Sequence, residues 1–401
     1  MNGLEDYLHN KTATELQSSR LVAADYFTNL TAYKNPNANH WTQMNRLLIG
    51  VSDWRSRLGE FKNPWGASCK SEYLPPAFTF TNLSFSDVAD QRAIELFSIA
   101  KATNRRILIL WSGGIDSTAV LSSFIKNLEP ADRDILTITL SSRSILENSH
   151  FYVNHISNKL DCLHYSNFDL TPELLKKYIV IHGDPGDCLQ GPSIPAYAKF
   201  IQQGTHKDPW RNHISGIIDS VQPHPSHPHY SEGFGKWFVN AVSANLEEIN
   251  PENVITVADW WWWTYYNFKW EFSCQRPFFF SRSDFNTSFT KEELVDYATN
   301  TYFNSPNWQQ WSYSNLQTLL PAGTGWDVRK MHKHDARSYI FELDRNDLYF
   351  ETKVKTPGAP ANVLDRQSRV QPVYFTDSWQ GRNLSDPGVR ESVVQLLEDF
   401  N

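Results

Sequence analysis

Read for the spacing of its apolar positions, the chain changes character near residue 100. Before that point the signals are sparse. Helical spacing runs through residues 13–30, Ala77-Phe78-Thr79-Phe80-Thr81 alternates like a strand, and Ser86 is a candidate N-cap for a helix with Ala89, Ala93, Leu96, Phe97 and Ala100 on one face. Asn-, Pro- and Gly-rich stretches at 35–39 and 63–66 read as loops. From Arg106 onward short β-branched runs alternate with helical patterns. Ile107-Leu108-Ile109-Leu110 forms a strand, a glycine turn follows, and a helix opens at 116–118 and continues to Leu128. Residues 134–140 give a second strand. Residues 145–160 give a helix with Phe151, Val153 and Ile156 available for burial, and 162–165 a third strand. Residues 171–178 give a short helix capped by Thr171, and Tyr178-Ile179-Val180-Ile181-His182 a fourth strand.

Repeated strand–helix units predict an α/β fold built on a doubly wound parallel sheet covered on both faces, with ligands at the carboxyl ends of the strands. Residues 1–100 are expected to form a smaller N-terminal cap or packing domain without a catalytic constellation. Residues 101–200 form the α/β core, and 201–401 a mainly helical substrate-side extension of the same 101–401 domain.

Two motifs lie at strand ends. The first, Trp111-Ser112-Gly113-Gly114-Ile115-Asp116-Ser117-Thr118, puts two glycines between a strand and a helix, so the backbone can approach a bound group closely. The free N–H groups and positive end of the new helix then face that group, which makes an anion site, most simply for phosphate. Ser112, Ser117 and Thr118 add hydroxyl donors, and Asp116 is placed to hold a divalent cation. No Gly-x-x-x-x-Gly-Lys-Ser/Thr run occurs, which points away from Walker-type γ-phosphoryl transfer. The second motif, Gly183-Asp184-Pro185-Gly186-Asp187-Cys188-Leu189-Gln190-Gly191, carries two carboxylates three residues apart on a glycine-bearing turn. Alone it reads first as an acidic surface loop and only second as a cation site. Its pairing with the first motif favours the cation site.

Ser-Gly-Gly-x-Asp-Ser resembles the PP-loop of the ATP pyrophosphatases, whose adenine nucleotide alpha-hydrolase-like fold binds ATP and divides it between the α and β phosphates. Order and spacing narrow the resemblance to the synthetase domain of asparagine synthetase, β-lactam synthetase and the lasso-peptide cyclases. In their second motif Gly183, Asp187 and Gly191 match, and Asp184 stands where Glu is common. Pro185, Cys188 and Pro192-Ser193 depart from the pattern. The resemblance implies that Asp116 and Asp187 hold Mg²⁺ on the pyrophosphate. Ser112, Gly113, Gly114, Ser117, Thr118 and Gly183 belong to the nucleotide side, and Asp184 lies near the acceptor. It also implies a late catalytic lysine before a Gly/Pro-rich turn, Lys355 first and Lys353 second. Glutamine-using relatives carry Cys at position 2, where this chain has Asn2, so nitrogen is expected from ammonia, a substrate amine or a separate amidotransferase partner.

Composition changes this picture little. A formal charge of −7 opposes non-specific binding to nucleic acid. Cys69, Cys162, Cys188 and Cys274 form no Cys-x-x-Cys pair, consistent with a reducing, cytoplasmic setting. There is neither a signal-peptide layout at Met1 nor an apolar run long enough to span a bilayer. The run Trp260-Trp261-Trp262-Trp263-Thr264-Tyr265-Tyr266 is aromatic on every helical face and is expected to be core, with base stacking as the competing use. His224-Pro225-Ser226-His227-Pro228-His229 reads as a stiff loop before it reads as a metal site, and Gly323-Thr324-Gly325 is too short for a dinucleotide fingerprint. The expected function is an AMP-forming, ATP- and Mg²⁺-dependent carbon–nitrogen ligase joining a small-molecule or peptide carboxylate to an amine, possible as a homo-oligomer. The alternatives are a nucleobase- or tRNA-modifying ATP pyrophosphatase, and a non-catalytic nucleotide-binding protein.

Overall fold

The computed structural model describes residues 79–353 apart from 165–169, 192–194, 226–229, 231, 271–272, 275–290 and 317–332, together with a few positions before 79. The expected helix at 13–30, Pro192-Ser193, His227, His229, Gly323-Thr324-Gly325 and Lys355 lie outside the described residues.

Four strands form one parallel sheet: β1 (Arg106–Leu110), β2 (Leu136–Leu140), β3 (Asp161–His164) and β4 (Tyr178–His182), in the order β3-β2-β1-β4. Ile107 pairs with Leu136 on one side and Ile179 on the other, so β1 is central. Alternate residues of β1 serve opposite faces, as the twofold period of a strand dictates. Ile107 and Ile109 join the large core with helices α1 (Phe85–Ala102) and α2 (Ile115–Asn127). Leu108 joins Val180, Leu175 and Tyr297 in a smaller cluster on the other face. Both faces of this α/β sheet are therefore covered.

Helix α1 is capped by Ser84, two residues before the expected cap Ser86. Ser84 Oγ accepts the Asp87 N–H at 3.1 Å while the Asp87 carboxylate accepts the Ser84 N–H at 2.9 Å, a reciprocal capping box. That start turns Phe85 inward against Trp308 and Trp311. The core runs on through residue 100 without a break, because the buried face of α1 belongs to the same cluster as β1 and α2. Residues 79–81 are not a strand; the Thr81 N–H donates to Ser314 Oγ at 2.8 Å. Beyond β2, the helix expected over 145–160 is interrupted. Helix α3 (Ser142–Glu147) ends at Asn148, whose φ of −150° leaves the helical region and whose Oδ1 accepts the Phe151 N–H at 3.3 Å. A π-helical turn over Tyr152–Ile156 follows, and it leaves Val153 exposed while Phe151 and Ile156 stay buried. Helix α4 (Pro172–Lys177) is capped by Thr171 as expected, and α5 (Gly186–Leu189) forms the turn after β4.

The remainder is helical: α6 (Pro195–Gln202), α7 (Ile214–Val221), α8 (Phe234–Ile249), α9 (Val257–Phe268), α10 (Lys291–Asn300), α11 (Pro306–Ser314), α12 (His334–Asp344) and α13 (Asp347–Thr352). Every residue of α9 is buried. Four successive tryptophans span the circumference of a helix, so it must be enclosed, and its indole N–H groups need internal acceptors. Trp263 donates to Asn245 Oδ1 on α8 at 3.2 Å, and Trp262 to Ser312 Oγ on α11 at 2.9 Å. With Trp260–Trp263 wholly enclosed, no ring face of this run is open to a base. Among the described residues no helix is long and apolar enough to cross a membrane.

Candidate active site

The first motif is tied down at its base. Trp111 is buried, and its indole N–H donates to Thr118 Oγ1 at 3.1 Å, joining the end of β1 to the start of α2. Thr118 is thus fully buried beneath the loop. Above it, the Ser112 N–H donates to Ser117 Oγ at 3.1 Å, the two hydroxyls are 2.9 Å apart, and the Gly114 N–H reaches Ser112 Oγ at 3.3 Å. Gly113 has φ +76°, and a Cβ there would lie 2.4 Å from the Ser144 carbonyl and 2.7 Å from Glu147 Cβ. Only glycine lets the turn lie this close to α3. Gly114 caps α2 without a side chain, so no side-chain oxygen covers the helix's first amides.

The second motif lies directly on the first. A Cβ on Gly183 would meet the Ser117 amide nitrogen at 2.6 Å, and one on Gly186 would meet Asp116 Cγ at 2.7 Å. The two glycines allow the turn after β4 to rest on the opening turn of α2. Gln190 Nε2 then donates to Asp116 Oδ1 at 3.0 Å. Asp116 and Asp187 are joined by one ammonium group: Lys333 Nζ contacts Asp116 Oδ2 and lies 2.7 Å from Asp187 Oδ1. The lysine side chain is 1% exposed and each carboxylate 17%. Burial by itself would lower the Lys333 ammonium; the two aspartates outweigh it and hold it above the ordinary lysine range.

A second buried pair stands against the glycine turn. Lys353 Nζ contacts Glu147, the residue that Gly113 packs upon. Here burial wins over the single carboxylate, and the Lys353 ammonium is lowered. Burial likewise raises the Tyr349 phenol, with Glu147 and Asp116 adding to the effect. Tyr265, on α9, is raised by burial and next by Asp187.

The structure therefore brings together Ser112, Gly113, Gly114, Asp116, Ser117, Thr118, Gly183 and Asp187, with Lys353 beside them through Glu147. Asp184 stands partly exposed on the same turn, 3.4 Å from buried His182 Nδ1. Sequence reasoning missed Lys333, Glu147, Gln190 and His182. Gln190 lay inside the second motif with no role given to it. Lys333 is one of four basic residues in Lys330-Met331-His332-Lys333-His334, and nothing in that run singles it out.

Asp116 and Asp187 fit a cation, because an ammonium already sits between them. Mg²⁺ is typically held by one or two carboxylates and completed by phosphate oxygens and water, which matches a two-aspartate set. No group of three His, Cys, Asp or Glu side chains suited to a metal occurs among the described residues. Compared with protein-family models, with curated proteins and with solved structures, the chain matches none.

Proposed function

We propose that the protein is an ATP pyrophosphatase of the PP-loop kind that activates a carboxylate as its adenylate and passes it to an amine, forming an amide bond. The observation that carries this reading is the convergence of Asp116 and Asp187, from the ends of β1 and β4, on a single cation. The strand order supports the doubly wound, nucleotide-hydrolase-like arrangement: the sheet grows from β1 through β2 to β3, then resumes with β4 on the other side of β1. The switch lies between the two strands that carry the motifs, the place where such sheets bind ligands.

In this reading the uncapped start of α2 and the Ser112–Ser117 pair receive the pyrophosphate end of ATP. Asp116 and Asp187 hold Mg²⁺, which when bound neutralises charge on the departing pyrophosphate. Lys333 turns from the aspartates toward the phosphates. A carboxylate oxygen forms a bond to the α-phosphorus as the α–β bridging bond breaks with its electron pair on pyrophosphate. The amine nitrogen then bonds to the acyl carbon, AMP leaves with the acyl–oxygen electron pair, and Asp184 orients the amine. Lys353, or Lys355, faces the oxyanion of the tetrahedral adduct.

The test is ATP–pyrophosphate exchange across a panel of amino acids, dicarboxylates and short peptides. One or more carboxylates should stimulate exchange and release AMP, and Asp116→Asn should abolish both; ADP and phosphate as the products would refute the reading. One observation favours a non-catalytic alternative: Lys333 stands where the metal would go. Tight Mg-ATP binding by calorimetry with no AMP formed from any member of the panel would establish that alternative.

A further inference from the structure

His182 closes β4 and is 3% exposed. Its Nε2 is 2.9 Å from the Cys274 carbonyl oxygen. A carbonyl only accepts, so Nε2 carries the hydrogen and the neutral ring keeps its lone pair at Nδ1. Nδ1 makes no hydrogen bond and lies 3.4 Å from Asp184 Oδ2. The Tyr297 ring lies nearly parallel to the imidazole, 12° off with centroids 6.2 Å apart, and fixes its plane. Among the described residues the other titratable groups on this side are the Tyr297 phenol and the Cys274 thiol, both buried. Asp184 is 34% exposed.

Two acceptors facing each other across 3.4 Å lack one proton. Supplying it converts the contact into a charge-assisted hydrogen bond. The geometry points to His182 as a positioning and proton-holding residue behind Asp184, serving a primary amine that arrives as its ammonium ion. This rests on the adenylating function proposed above and names the chemistry of its second step. Asp184 attracts the ammonium group, whose first proton passes through the Asp184 carboxylate to Nδ1, leaving the electron pair on nitrogen. That pair bonds to the acyl carbon of the adenylate. The second proton leaves the tetrahedral adduct for a phosphate oxygen of the departing AMP. The proton on Nδ1 returns to solvent by way of Asp184.

The experiment uses the full chain and its His182→Gln variant, since Gln retains an N–H for the Cys274 carbonyl but takes no proton. The carboxylate is one that supports exchange, and the nucleophile is either ammonium chloride or hydroxylamine, which is already a free base at neutral pH. His182→Gln should leave ATP–pyrophosphate exchange unchanged. It should slow the ammonium reaction about 100-fold at neutral pH, the usual size of a general-base contribution. Hydroxylamine should react at the wild-type rate, and the ammonium deficit should shrink as pH rises. Equal losses with both nucleophiles, or no loss with ammonium, would overturn the proposal. Nitrogen NMR of the protein itself gives a readout independent of turnover: wild type should show the Nε2–H tautomer. An Nδ1–H tautomer in wild type would refute the proton-holding pair even if the wild-type chain adenylates. Absence of exchange in wild type would instead count against the adenylating function, and the NMR result would still decide the pair.

Discussion

Replacing Lys333 with Met tests the centre of the site most directly. The substitution keeps an unbranched apolar stem and removes the ammonium, leaving Asp116 and Asp187 facing each other across the gap that Lys333 Nζ bridges. Removing one member of a fully buried ionic set costs about 3–5 kcal/mol. Each carboxylate keeps some contact with water at 17% exposure, so about 2–4 kcal/mol is expected without divalent cations. Urea unfolding should register this as a midpoint lower by roughly 1 M, given slopes of about 2–3 kcal/mol per M. Because the folded-state ammonium lies above its ordinary value, its contribution is fully present below the unfolded lysine range and is lost only as pH rises past the folded value. The deficit should therefore be constant from pH 6 to 9. Mg²⁺ should rescue the variant selectively, by about 2.7 kcal/mol at 100 times its dissociation constant, since the vacated position is a two-aspartate cation site. Adding Asp187→Asn to Lys333→Met should recover part of the loss, whereas Asp187→Asn alone should destabilise. A Lys333→Met chain as stable as wild type, or Mg²⁺ stabilising both to the same extent, would refute the bridging account.

Three further outcomes follow from the same geometry. Gly183→Ala puts a Cβ 2.6 Å from the Ser117 amide, so the turn must back away from α2; ATP binding by calorimetry should fall by tenfold or more while circular dichroism is unchanged. Arg92→Met leaves the carbonyls of Thr299, Thr301 and Tyr302 without their guanidinium donor, and thermal unfolding should show a loss of about 2–4 kcal/mol. Burial raises the phenols of Tyr197, Tyr265, Tyr297, Tyr302, Tyr339 and Tyr349, so the folded state keeps protons that the unfolded chain gives up above about pH 10. Stability should fall as pH rises beyond that point, and phenolate absorbance from these residues should appear together with unfolding; free titration in the folded state would contradict the burial.

How far the sequence could be read depended on whether a feature was local. The strands β1, β2 and β4 were legible because each is a short run rich in β-branched residues whose flanking turns lie within a few residues. Thr171 and its helix were legible for the same reason. Ser84 was passed over in favour of Ser86 because both are serines before the same apolar face, and only the reciprocal Asp87 bond separates them. The break at Asn148 was hidden because it rests on the Asn148 side chain accepting the Phe151 N–H, a local bond that an asparagine within a helical pattern does not announce. Asp116 and Asp187 could be paired on paper through their motifs. Lys333 could not, since its importance comes from a contact across more than two hundred positions of sequence. His182 read as the last residue of a strand, and its chemistry depends on the Cys274 carbonyl, another distant partner.

Helix α12 begins just after Lys333, and α13 ends just before Lys353. Both counter-charges of the site are thus delivered by one helical hairpin late in the chain, while Glu147, Asp116 and Asp187 come from its first half. The same hairpin fills the core with Ala336, Tyr339 and Ile340. The acidic groups thus come earlier in the chain than either lysine that contacts them. Electrical closure of the site therefore waits on this hairpin, and a chain cut short before Lys333 would lack both ammonium groups.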